Sequence, residues 1–355
     1  MSKNSFNDES IKNDSLKLKK ECIKIWIEDS CSRLGFYDIN NDFSINVRGD
    51  ILITDKYFGK IIPDFIQFNT VTGDFKCRIG KLKSLVGFFP KKVGGDFDCS
   101  YCSSLESLEG APKEIGGNFY CFNCNSLKNL EYAPEKVGGN FNCSGCSSLE
   151  SLEGAPKEVS GDFNCSGCSS LESLEHAPKE VGGDFNCSGC RSLESLEHAP
   201  KEVGGDFNCG GCRSLESLEH APEKVGGNFD CSGCSSLGSL EHAPEKVGGN
   251  FDCSHCSSLE SLKGAPKSVG GDFDCNYCSS LESLEGVSKE VGGDFDCRNC
   301  DSLKNLEHAQ VKVKGIFRSS DDFYDCDYYD DDPDPWGAKS ELDYIMNNGG
   351  DWIDD

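Results

Sequence analysis

Phe75, Phe97, Phe119, Phe141, Phe163, Phe185, Phe207, Phe229, Phe251, Phe273, Phe295 and Phe317 fall every 22 residues without a slip. A strict period of a few tens of residues means a solenoid, in which each unit buries its apolar face mainly against its neighbours. Around each Phe the same phrase returns. In the copy from Val181 to Glu202, with Phe185 as position zero, Cys187 stands at +2 and Cys190 at +5. Leu193 follows at +8, Leu196 at +11, Ala199 at +14, Pro200 at +15 and Val203 at +18.

Phe-x-Cys has the period of two that puts both side chains on one face of a strand. Asp184 and Asn186 then face the other way. Leu-x-x-Leu-x-x-Ala-Pro turns inward every three residues, which suits a loose helical or an extended return path. Pro200 cannot donate to a ladder, so it belongs on that return. Gly204-Gly205 reads as a tight turn back into the next strand. The expected fold is therefore a mostly β repeat solenoid with one parallel strand per 22-residue coil and irregular return segments. Like residues stack into ladders, with Phe, Leu, Val and both Cys inside and two Asp/Asn rows outside.

The ends differ from the middle. Residues 1–15 are polar and are expected to be disordered. Residues 16–34 read as a helix with Leu16, Ile23, Trp26, Ile27, Cys31 and Leu34 near one face. Phe43–Val47 and Ile51–Ile53 flank Arg48-Gly49, a hairpin signal. Residues 16–50 thus read as a helix-and-hairpin cap over the first open edge. Residues 51–318 form the solenoid, opening on a degenerate coil at Ile51, Ile53, Phe58 and Ile61. Residues 319–355 read as an acidic tail, with Trp336 or Trp352 available to pin it against the last coil.

The pattern Phe-x-Cys-x-x-Cys-x-x-Leu resembles the Leu-x-Leu-x-x-(Asn/Cys)-x-Leu signature of leucine-rich repeats. Phe and the first Cys take the strand-Leu slots, and the second Cys takes the Asn/Cys slot. The Leu after the second Cys stands one residue later than in that signature. The consensus phrase Leu-Glu-Gly-Ala-Pro-Lys-Glu-Val-Gly-Gly-Asp-Phe-x-Cys is similar to repeats in proteins of phages and large viruses. The match covers roughly residues 43–318. The resemblance implies a binding scaffold without chemistry, and for the second Cys a bond to backbone groups at the turn.

The chain of 355 residues carries a net charge of −26, which argues against nucleic acid or an anionic membrane as direct partner. A basic protein partner or a cation is easier to accommodate. Met1–Lys20 lacks the apolar core of a secretory signal, and no apolar run is long enough to span a membrane. The 24 Cys are then expected as free thiols in a reducing, intracellular compartment, the host cytoplasm if the chain is viral. A monomer is expected.

Four features invite a chemical reading. Cys187, Cys190, Cys209 and Cys212 have the spacing of a four-Cys zinc site, and ten Cys-x-x-Cys pairs repeat it. Against zinc, each first Cys alternates with Phe as a core residue does. His176, His198, His220, His242 and His308 share position +13, either as a metal-binding row or as a tolerant outer position copied with the repeat. The Asp/Asn rows, including Asp184 and Asp206, offer acceptors to a Lys/Arg-rich partner or simply form a solvated sheet face. Tyr101, Tyr120 and Phe122, with Tyr277 further on, break the consensus where other copies have Asn, Ser or Gly. Exposed aromatics are the usual anchors of an interface, unless the cap covers them. Arg48-Gly49-Asp50 is read as the hairpin turn. No catalytic constellation stands apart from the repeat, and no cofactor is expected. The sequence points to a non-catalytic protein-interaction scaffold, with a zinc-binding array and a targeting arm for a separate enzyme as alternatives.

Overall fold

The computed structural model describes residues 5–31, 34–54, 65–304, 306 and 311–319. It is a mostly β parallel solenoid of about 12 coils with an N-terminal helix. The chain divides into two compact units, Met1–Gly183 and Asp184–Asp355.

In the first unit, helix α1 spans Ser5–Ser30. No Gly or Pro interrupts that stretch, so helical backbone begins within the segment expected to be disordered and ends before the residue 34 boundary. Ile23, Trp26 and Ile27 are buried, whereas Leu16, expected on the same face, is exposed. Trp26 meets the Phe88 ring edge-on at 5.9 Å, which ties the helix to the core. Strand β1 (Phe36–Ile39) pairs antiparallel with β2 (Ile45–Arg48). Strand β3 (Ile51–Thr54) does not pair with β2 across Arg48-Gly49. Instead β2 lies parallel to β4 (Phe68–Val71), and β3 lies parallel to β5 (Phe75–Arg78). The expected hairpin is thus a coil corner. Gly49, at φ 111°, supplies the corner, and the hairpin is formed one strand earlier. Of the degenerate first coil, Ile51 and Ile53 are buried. Phe58 and Ile61 lie outside the described residues, as do His308 and residues 320–355 with Trp336 and Trp352.

From Phe97 onward each coil contributes the expected strand at Phe and the residue after it. A second two-residue parallel ladder runs through the Val at +18 and the residue before it. In the second unit the register is uniform: Phe185 pairs Phe207, Phe207 pairs Phe229 and Phe229 pairs Phe251. Three N–H groups per coil reach forward. Phe207 donates to Asn228 O at 2.8 Å, Cys209 to Asp230 O at 2.8 Å and Gly211 to Ser232 O at 2.6 Å. Others reach back: Glu223 donates to Lys201 O at 2.8 Å, Gly226 to Val203 O at 3.1 Å and Gly227 to Gly205 O at 2.9 Å. The return arm is extended, with tight turns where Leu215 N–H bonds Cys212 O and Ala221 N–H bonds Leu218 O.

Phe, both Cys and both Leu of the coils are buried from Phe119 to Leu284. The Phe rings form a stacked column, with Phe207–Phe229 at 5.3 Å and Phe229–Phe251 at 5.4 Å between centroids. Burying one such ring contributes about 1.5–3 kcal/mol, and each ring contact adds about 0.5–1.5 kcal/mol. The surface of the second ladder is tied from coil to coil by exposed ion pairs, such as Lys136–Glu158 at 2.7 Å and Lys224–Glu202 at 2.5 Å. Solvent screening leaves such exposed pairs little net effect on stability.

The Gly-Gly pair does not serve a left-handed turn, since neither glycine has positive φ in any described coil. It serves close approach. A Cβ on Gly226 would overlap the Gly204 carbonyl oxygen, and one on Gly227 would overlap Asp206 Oδ1. Left-handed backbone is instead required at +4 and +13. Position +4 holds Tyr101, Asn123, Gly145, Gly167, Gly189, Gly211, Gly233, His255, Tyr277 and Asn299, all with φ between 56° and 71°.

Candidate interaction surface on the strand face

The outward face of the Phe-led strands carries positions −1, +1, +3 and +4. At −1 the carboxylates are braces before they are acceptors for a partner. Asp184 Oδ1 accepts the Asp206 N–H at 2.8 Å, and Asp206 Oδ1 accepts the Asn228 N–H at 2.7 Å. Asp206 Oδ2 takes the Asn228 side-chain amide at 3.1 Å. The two residues expected to offer open acceptors therefore spend at least one oxygen each on the next coil. That bond also explains the second glycine, whose missing Cβ leaves room for the oxygen.

At +1 each side chain turns back on its own strand. Asn186 Oδ1 accepts Ser188 N–H, and Asp230 Oδ1 accepts Ser232 N–H, both at 2.9 Å. In the later coils this row is all Asp: Asp230 pairs Asp252, which pairs Asp274, which pairs Asp296. Burial, then the neighbouring Asp252 and Asp296 carboxylates, pushes the Asp274 carboxyl up to about 6. Burial raises Asp230 as well. Burial works the same way on Asp296, but Arg298, at 2.6 Å, holds its carboxyl below the usual range.

The consensus-breaking aromatics come together. Tyr101 packs edge-on to Phe122 at 5.0 Å, and Phe122 packs edge-on to Tyr120 at 6.4 Å. Tyr101 is 51% exposed, while Tyr120 and Phe122 are half-buried. Beside them, Arg78 donates through Nε and Nη2 to Asp98 Oδ2, at 3.2 and 2.6 Å. The guanidinium carbon lies 5.8 Å from the Tyr101 ring centroid. Asp98 is 2% exposed, and its other oxygen accepts the Ser100 N–H at 2.9 Å. Ser100 is fully buried, and its hydroxyl has no hydrogen-bond partner among the described residues. Burial raises the Tyr120 phenol, and the Asp96 and Asp98 carboxylates raise it further.

Tyr277, in the second unit, is likewise 51% exposed and stacks parallel to His255 at 4.7 Å. Sequence reasoning did not group Arg78, Asp98, Ser100 and His255 with the aromatics. The available signal was Lys76 and Arg78, which occupy outward positions where later coils have Asn and Ser.

The thiols face inward. Cys187, Cys190, Cys209 and Cys212 are fully buried, and the Cys212 thiol donates to the Cys187 carbonyl at 3.2 Å. The same bond joins Cys234 to Cys209 and Cys256 to Cys231. Among the described residues no group of three or more His, Cys, Asp or Glu side chains is placed to hold a metal ion. His176, His198, His220 and His242 sit at the left-handed position +13, with φ between 67° and 72°. Gly110, Gly154, Gly264 and Gly286 fill that position elsewhere. His176, His198 and His220 each place Nε2 at 3.7 Å from the preceding Glu. No family model, curated protein or solved structure matches the chain. No described helix is long and apolar enough to cross a membrane.

Proposed function

We propose that this chain is a non-catalytic scaffold of leucine-rich-repeat type that binds another protein through the outward face of its Phe-led strands. The observation that carries the reading is Tyr101. Its backbone is left-handed, at φ 61°, where five later coils have glycine. A non-glycine residue in that conformation costs about 1–2 kcal/mol. The ring it brings is half in solvent and sits at one edge of a three-ring cluster. Strain kept together with exposed apolar surface is what a contact anchor looks like. Tyr277 repeats the combination. The buried, backbone-bonded thiols favour a packing role over a zinc array for Cys187, Cys190, Cys209 and Cys212.

A photo-cross-linking residue in place of Tyr101, with the same residue in place of Tyr132 as control, tests the reading in cells. Tyr132 is 48% exposed but lies on the return arm. A defined protein captured through position 101 and not through 132 is the expected result. Equal capture from both positions, or none from 101, would overturn it.

A further inference from the structure

The aromatic cluster of the first unit has a chemical preference of its own, and the argument for it rests on the interaction reading above. We propose that the Tyr101–Phe122 patch recognises an arginine-bearing segment of the partner protein. Three observations converge on a guanidinium.

The first is that the patch already holds one. Arg78 makes two hydrogen bonds to Asp98 and lies 5.8 Å from the Tyr101 ring centroid. A carboxylate beside an aromatic face is the pairing that suits a planar cation best. Arg78 leaves much of that surface open, since Tyr101 remains 51% exposed.

The second is charge. After burial, the Asp96 and Asp98 carboxylates oppose the ionisation of Tyr120 and outweigh the Lys76 ammonium beside them, so the acidic groups around the rings prevail. Asp96 has no Lys or Arg partner among the described ion pairs. Its Oδ1 is used by the backbone and side-chain amides of Asn118. Within a chain of net charge −26, an anionic partner would be repelled here and a cationic one attracted.

The third is the Ser100 hydroxyl. It stands between Arg78 and Phe122 in the +3 column, buried and without a hydrogen-bond partner among the described residues. The corresponding Ser144 and Ser166 are less deeply buried. Leaving a buried hydroxyl unmade costs about 1–3 kcal/mol. A guanidinium entering beside Arg78, with the half-exposed Phe122 ring moving aside, brings N–H donors to both Ser100 and Asp98. Lysine has no flat face to lay on the rings and no second donor in a fixed fork, so it fits less well.

The repeat itself supplies variants that keep the fold. Tyr101→Gly, Tyr120→Asn and Phe122→Ser together restore the residues found in the coil at Phe141, where Asn142, Ser144 and Gly145 occupy those positions. The experiment titrates full-length wild type and this triple variant with three synthetic peptides at physiological salt: (Ser-Arg)6, (Ser-Lys)6 and (Ser-Glu)6. Far-ultraviolet circular dichroism and a urea midpoint establish that the variant is folded. The expected result is that (Ser-Arg)6 binds wild type at least about tenfold more tightly than the variant. It should also bind wild type several-fold more tightly than (Ser-Lys)6 does. Non-specific attraction to the acidic chain would give the same affinity for wild type and variant, and that outcome overturns the proposal. So does equal binding of the arginine and lysine peptides. If position 101 still cross-links a protein while the peptides show no preference, the interaction reading stands and the arginine reading fails.

Discussion

The Cys212 thiol donates to the backbone carbonyl of Cys187, one coil back, at 3.2 Å. The two cysteines of such a phrase therefore play different parts, except in the last pair, where the Cys297 thiol also donates, to Arg318 O at 3.3 Å. The first fills the core beside Phe, and the second bonds the previous coil. Cys212→Ala removes the donor and opens a small void, and is expected to lower stability by about 1–2 kcal/mol. Cys187→Ala removes only packing and leaves the carbonyl bond in place, so it should cost less. Urea midpoints of the two variants, read with one probe, decide the order.

The Cys212 and Cys234 thiols, and after them burial, push the Cys187 and Cys209 thiols well above their ordinary value, and burial pushes Cys31 up to about 12. The Cys212 thiol of the same ladder is shifted the other way by its bond to Cys187, so it is burial against the reagent, common to both, that protects the pairs. Among the described cysteines only Cys22 is exposed. A thiol-specific disulfide reagent applied to native protein should therefore modify Cys22 quickly and the paired core cysteines only after denaturant is added. Rapid native modification of Cys187 or Cys190, located by peptide mapping, would contradict the buried ladder.

Gly227→Ala and Gly238→Ala form a matched pair. A Cβ at Gly227 would overlap Asp206 Oδ1, whereas one at Gly238 meets nothing within 4 Å. The first should cost about 2 kcal/mol or more through loss of the inter-coil brace. The second should be neutral or stabilising by up to about 1 kcal/mol, because alanine restricts the unfolded chain. Thermal midpoints measured side by side are sufficient.

His198→Gly relieves left-handed backbone at φ 72°. Set against the greater freedom of glycine in the unfolded chain, the net gain is about 0.5 kcal/mol. A loss larger than that on denaturant melting would mean that the His row has a packing or binding part that its φ does not reveal.

Asp274 gives a pH dependence with a definite sign. Its folded value, about 6, lies above the ordinary carboxylate value, so folding disfavours its charged form. The penalty is present above pH 6 and is relieved as pH falls from about 6 toward 4. After allowance for solvent screening of a half-exposed carboxylate, Asp274→Asn should stabilise the protein by about 1 kcal/mol at neutral pH. It should add little near pH 4. Hydrogen exchange of the Cys275 amide, followed across that range, gives a local readout. A variant whose advantage stays constant with pH would sink the argument.

How much of this was legible beforehand depends on what repetition records. Phe185, Cys187, Cys190, Leu193 and Leu196 announced their burial, because burial is a requirement that every copy must meet. The parallel Phe ladder followed from the period. The Val203 ladder did not, because two residues are too few to show an alternation. Gly204-Gly205 was read as a tight turn, because steric exclusion by a neighbouring coil leaves the same sequence mark as a turn that needs glycine. Position +4 was obscured differently. Gly211 and Tyr277 look like unrelated choices until one sees that both satisfy one left-handed site. Arg48-Gly49 resembled a hairpin turn, since a corner and a hairpin use the same residues. The cluster at Tyr101, Tyr120 and Phe122 was visible as a departure from the copies around it. Its ion pair and its buried hydroxyl, from Arg78 to Ser100, depend on which columns adjoin, and only the register supplies that.

The uniform register from Phe185 to Phe251 has a genetic consequence. Each coil presents to the next the same donors, the same acceptors and the same ring that it receives from the one before. A coding unit for 22 residues can be gained or lost by unequal crossing-over, and the new neighbours meet across a junction already solved. Copy number is then nearly free to drift. The coils bearing Tyr101 and Tyr277 are not interchangeable in that way, and lineages differing in length should retain them while the plain coils come and go.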